Sequence, residues 1–91
     1  MPVKVIIPTP LRVYTDNKES IDIDAKTVDE LLKRLSDRYA ALRFNIYSED
    51  GSLRKFVNVY VNSEDIRHLQ HGKTVVTDRD VVSIIPSIAG G

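Results

Sequence analysis

Apolar and polar positions alternate with a period of two near both ends of the chain and with a helical period in between. Val3-Lys4-Val5-Ile6-Ile7 is rich in β-branched residues and stops at Pro8, which predicts a strand. Val3, Val5 and Ile7 then share one face, and Lys4 and Ile6 the other. Pro8-Thr9-Pro10 enforces an extended stretch, after which Leu11, Val13 and Tyr14 suggest the start of a second strand. Asp16-Asn17-Lys18 has turn chemistry. From Glu19 to Ile23, Ile21 and Ile23 alternate with Ser20 and Asp22, so these segments predict an antiparallel hairpin.

The pattern then changes period. Val28, Leu31, Leu32, Leu35 and Tyr39 fall on one face of an α-helix. Thr27 is a suitable N-cap, and Glu30 three residues on completes the capping-box pattern. Asp29 and Glu30 in the first turn, with Lys33, Arg34 and Arg38 later, match the helix macrodipole and predict a solvated outer face. Beyond the helix the signal weakens. Leu42, Phe44 and Ile46 fit a short strand or irregular packing, and Glu49-Asp50-Gly51-Ser52 is a turn.

Phe56 to Val61 is again a strand, with Val57, Val59 and Val61 toward the core and Phe56, Asn58 and Tyr60 away from it. Asn62 to Arg67 reads as a turn into a short helical piece, and Thr74-Val75-Val76 as a brief pairing segment. Asp78 to Asp80 leads into the last strand, Val81 to Ile85, with Val82 and Ile84 inward. A hairpin, one main helix and further strands give an α+β protein: a mixed sheet with the helix packed on one face. The helix crossover places the first and last strands side by side, parallel, in the centre. That is the β-grasp (ubiquitin-like) arrangement.

Charge and composition mainly exclude. Thirteen Lys and Arg balance thirteen Asp and Glu, which argues against bulk nucleic-acid binding. With no cysteine there is no disulfide, thiolate metal site, iron–sulfur cluster or cysteine nucleophile. The apolar run at the N-terminus is too short for a signal peptide, and no stretch approaches transmembrane length, so no membrane association and a cytoplasmic location are expected. Asp65, His68 and His71 form an Asp-x-x-His-x-x-His pattern on a polar segment, which is read as surface side chains with no metal. No P-loop, dinucleotide fingerprint or nucleophile elbow is present, which points away from an enzyme.

What remains is the end of the chain. The last strand runs into Pro86-Ser87-Ile88-Ala89-Gly90-Gly91. Glycine lacks a Cβ, so such a segment can lie extended in a narrow channel. The expected organisation is a body over residues 1–86 and a flexible C-terminal tail over 87–91, with the Gly91 carboxylate as the working group. The stretches Val3 to Arg12, Phe56 to Arg67 and Ile84 to Gly91 together resemble the MoaD/ThiS family of ubiquitin-like sulfur carriers. The Ile-Pro-Thr-x-Leu-Arg start and the insertion around Ser48 to Arg54 look most like the carriers of bacterial cysteine biosynthesis.

The resemblance implies a co-substrate protein rather than a catalyst. A separate adenylating enzyme would use ATP to activate Gly91, and sulfur transfer would leave a thiocarboxylate there. The chain itself would bind no cofactor. A sulfur-accepting synthase, with a pyridoxal-phosphate cysteine synthase as the candidate, would take the sulfur, and a zinc metalloprotease is a further implied partner. The alternatives are the small subunit of molybdopterin synthase, or a protein modifier conjugated through Gly91. Partners would hold Ile88, Ala89 and Gly90 in the channel. Ile6, Tyr60 and Ile85, on the sheet face away from the helix, would form an exposed apolar docking patch. Arg12 and Arg67 are weaker candidates for charged contacts there.

Overall fold

A computed structural model describes residues 2–86. Five strands form one mixed sheet: β1 (Pro2–Ile6), β2 (Ser20–Asp24), β3 (Val57–Val61), β4 (Glu64–Asp65) and β5 (Val81–Pro86). Their order across the sheet is β2-β1-β5-β3-β4. The central pair, β1 and β5, is parallel, and every other pairing is antiparallel. One main helix, α1 (Val28–Arg38), supplies the crossover and packs on one face. The β-grasp topology expected from the element order is therefore present.

The core is the alternation made physical. Val3, Val5, Ile21, Ile23, Val57, Val59, Val82 and Ile84 are buried on the helix side of the sheet, against Val28, Leu31, Leu32 and Leu35 of α1. Tyr39, the last residue of the apolar helical stripe, caps α1 and is partly buried. At the helix start Thr27 Oγ1 accepts from the Glu30 amide at 3.2 Å, as the capping pattern requires. The return contact is displaced by one residue: Glu30 Oε1 accepts from the Lys26 amide at 2.8 Å. Val75 bridges back to Thr27, and the Val76 amide donates to the Lys26 carbonyl, so the brief pairing expected at 74–76 forms beside the helix start.

Two stretches differ from their expected form. Thr9–Tyr14 is a 3-10 helix, not the start of a strand. Pro10 sits in its first turn, the Leu11 amide donates to the Pro8 carbonyl at 2.9 Å, and only Leu11 turns inward, leaving Val13 71% exposed. The segment after α1 is also helical, a 3-10 turn at Ala40–Leu42 running into α2 (Arg43–Ile46). Leu42 and Ile46, one turn apart, are both fully buried, while Phe44 is 74% exposed. The charged face of α1 is only partly a solvated one. Arg34 Nη1 donates to the Asp24 carbonyl at 2.8 Å and Arg38 Nη1 to the Asp22 carbonyl at 3.1 Å, on the outer edge of β2.

Candidate functional site

The face of the sheet opposite α1 carries the docking residues anticipated from the alternation. Register places them together. Ser83 of β5 lies opposite Ile6 of β1 on one side and Tyr60 of β3 on the other. Two residues along β5, Ile85 lies opposite Asn58. Ile6 and Tyr60 are half-buried, and Ile85, near the end of β5, is 47% exposed. The three apolar side chains thus surround Ser83 on one continuous face. Ile88, Ala89, Gly90 and Gly91 lie outside the described residues.

The rim of this face on the β3–β4 side is built from charge. Asp65 of β4 pairs with Tyr60 in register. Its carboxylate accepts from the backbone amide of Arg67 at 2.8 Å and from the Arg67 side chain at 3.1 Å through Nε and 2.6 Å through Nη2. These donors, chiefly the guanidinium, hold the Asp65 carboxyl down at about 2, and the carboxylate raises Arg67 in return. Arg67 Nη2 also donates to Asn58 Oδ1 at 2.9 Å. An exposed guanidinium is therefore fixed in place beside the strand that flanks Ile85. Arg67 was a candidate from sequence; its anchor, Asn58, was not. Alternation put Asn58 on the outer face, but the contact crosses the β3–β4 turn and has no local sequence signal.

The insertion around Ser48 to Arg54 shares one cleft with Asn58, Asp65 and Arg67 at the edge of β3. It folds back beside the helix, its turn closed by the Ser48 amide donating to the Ser52 carbonyl at 2.8 Å, with Gly51 at φ 86°. There it lines a second cleft of about 770 Å³ with Lys33, Ser36 and Asp37 of α1 and with Tyr47. Burial and the nearby Asp29 carboxylate push the Tyr47 phenol up. This second cleft holds no nucleophile paired to a base and lies on the side of the sheet away from Ile6, Tyr60 and Ile85. Among the described residues no three His, Cys, Asp or Glu side chains gather closely enough to hold a metal ion, and the Asp65 carboxylate is taken by Arg67 rather than by His68 or His71. No helix among them is long and apolar enough to cross a membrane.

This architecture has well-defined relatives. Over its whole length the chain is 37% identical to sulfur carrier protein CysO of Mycobacterium tuberculosis, covering all of that protein as well. It is 38% identical to small archaeal modifier protein 3 of Haloferax volcanii, over 78% of this chain and 75% of the other. Among solved structures, a chain of the Amycolatopsis orientalis BexX/CysO complex superposes with a TM-score of 0.86 at 37% identity, covering 98% of this chain and 99% of that one. Residues 5–91 match the ThiS family, a span that takes in both the strand framework and the terminal glycines. The chain belongs to the ThiS family, on a ubiquitin-like β-grasp fold.

Proposed function

We propose that this protein is a sulfur carrier that works through its C-terminal carboxylate and supplies sulfur for biosynthesis, with cysteine as the proposed product. The observation that carries the reading is the full-length likeness to a sulfur carrier, with the family match running through Gly90-Gly91. The body supports it by its chemical quietness: the described residues offer packing and a docking face, but no general base set against a nucleophile. In the proposed cycle a separate adenylating enzyme binds the tail and ATP. A Gly91 carboxylate oxygen attacks the α-phosphorus and pyrophosphate leaves. The resulting mixed anhydride makes the acyl carbon open to attack, which a free carboxylate is not. Sulfide sulfur then bonds to that carbon and AMP departs, leaving a thiocarboxylate that is anionic and nucleophilic at neutral pH. On a sulfur-accepting synthase, proposed to be a pyridoxal-phosphate cysteine synthase, the thiocarboxylate sulfur would bond to the acceptor carbon and leave the product acylated to Gly91. A zinc metalloprotease would then add water across that acyl bond, releasing the product and restoring the Gly91 carboxylate.

Docking through Ile6, Tyr60 and Ile85 belongs to the same proposal. Threading an extended tail into a channel loses conformational entropy, and an apolar face beside the tail root supplies affinity that two glycines cannot. The likeness to a small archaeal modifier protein supports a second reading, conjugation of Gly91 to lysines of other proteins. Intact mass spectrometry separates the two. Protein recovered with its adenylating enzyme, ATP and sulfide should show one oxygen exchanged for sulfur. High-mass conjugates without that exchange would favour the modifier, and an unaltered mass would reject both.

A further inference from the structure

The root of the tail is bracketed by two anchored guanidiniums. β1 and β5 are parallel and β3 is antiparallel to β5, so Ile6, Val57 and Pro86 share one end of the sheet. Residues 87–91 continue from that end. On its β1 side Arg12 donates Nε to the Ile7 carbonyl at 3.0 Å and stands 4.0 Å from Glu19. On its β3 side Arg67 is tied to Asp65 and Asn58, and Asn58 lies opposite Ile85. Both side chains are thus held by their own fold before any partner arrives. Neither is used up. Arg67 Nη1 and both terminal nitrogens of Arg12 donate to nothing within hydrogen-bond distance among the described residues. The Arg67 side chain is 59% exposed.

Planar guanidinium donors fixed in direction fit a carboxylate, and fixing them in advance removes most of the ordering entropy of a docking contact. An arginine beside an exposed isoleucine is also the residue type enriched in energetically dominant interface positions. The contact cannot be with the nucleotide. A five-residue segment held extended in a channel would span roughly 17 Å, which would put ATP phosphates at the reacting carboxylate out of reach of either arginine. What the arginines meet is the rim through which the tail enters.

We propose that Arg12 and Arg67 are positioning residues that aim the tail, each engaging a carboxylate of the adenylating enzyme at the mouth of its tail channel, one on either side of the entering chain. The proposal rests on the sulfur-carrier reading and names the partner chemistry that reading leaves open.

ATP–pyrophosphate exchange by the adenylating enzyme of the same genome, with the full-length chain as co-substrate, tests it. Arg67→Glu and Arg12→Glu should each raise the KM for the carrier about tenfold and leave kcat within about twofold, as expected of charges at an interface rim. Arg67→Lys, which keeps charge but loses the fork, should fall between. The wild-type KM should climb with salt, and the double reversal should remove that dependence. Unchanged KM in a folded double variant, or a lower kcat at unchanged KM, overturns the proposal. If a reversal unfolds the chain, the wild-type salt series decides, since a flat KM overturns it equally. Absence of exchange with the wild-type chain would instead overturn the carrier reading, and this proposal with it.

Discussion

Asp65 is the residue where the fold meets the proposed docking face. Its carboxylate accepts hydrogen bonds from the Arg67 backbone and guanidinium and sits in register beside Tyr60, while Arg67 reaches on to Asn58. The carboxyl is lowered from an ordinary 3.8 to about 2, first by the side-chain hydrogen bonds of Arg67 and then by its backbone amide. A carboxyl depressed in the folded state stabilises it above the unfolded value and loses that contribution as pH falls through the folded one. The contribution is therefore fully present at neutral pH and disappears between about pH 4 and pH 2. Thermal melts of the wild type and Asp65→Asn across that range check it. The wild type should melt higher at pH 7, and the two curves should converge as pH approaches 2. Identical melting at neutral pH would show that the clamp contributes nothing to the fold. The candidates Ile6, Tyr60 and Ile85 were legible because strand alternation is a strict rule. The Asp65–Arg67–Asn58 cluster was not, because it depends on how a turn folds back over a strand.

At the scale of elements, β2 is an edge strand and its exposure is managed. Its outer carbonyls at Asp22 and Asp24 are occupied by Arg38 and Arg34 of α1. An uncovered edge is a template for pairing with another chain. The double substitution Arg34→Ala, Arg38→Ala should therefore promote β2–β2 association of two copies, read by sedimentation as an average mass that rises with concentration more steeply than for the wild type. Asp22 would repel its counterpart across such a pair, so added salt should strengthen the association. No change in mass would mean that the Asp22 carboxylate alone guards the edge. Element type was readable wherever one period was unambiguous: α1, β1, β3 and β5 follow their apolar spacing directly. It was not readable at 42–46, where Leu42 and Ile46 satisfy both a period of two and one helical turn, and only the exposure of Phe44 separates them. At 9–14 the Leu11–Val13 spacing imitates a strand, but Pro8 and Pro10 favour a tight turn that buries Leu11 alone.

For the molecule as a whole, the proposed division of labour between body and tail has a measurable consequence. Every core side chain among the described residues lies between Val3 and Ile84, and β5 pairs with β3 as far as Pro86 opposite Val57. The helix, the hairpin and the central parallel pair are thus complete before the chain reaches Ser87. Removing Gly91 leaves all of these in place, so the melting temperature of the shortened chain should match the full-length one. The same deletion moves the terminal carboxylate one residue back, to Gly90, about 3.5 Å short along an extended backbone. Acyl activation depends on reactive groups being held within a few tenths of an ångström of their productive separation, and misplacement by even 1 Å can cost about a hundredfold in rate. Adenylation by the partner enzyme should therefore be lost although the body still binds, and the shortened chain should act as a competitive inhibitor of the full-length one with an inhibition constant near the wild-type KM. A lower melting temperature would place Gly91 in the fold rather than beyond it. Failure to compete would place the binding energy in the terminal glycine rather than in Ile6, Tyr60, Ile85 and the sheet face that presents them.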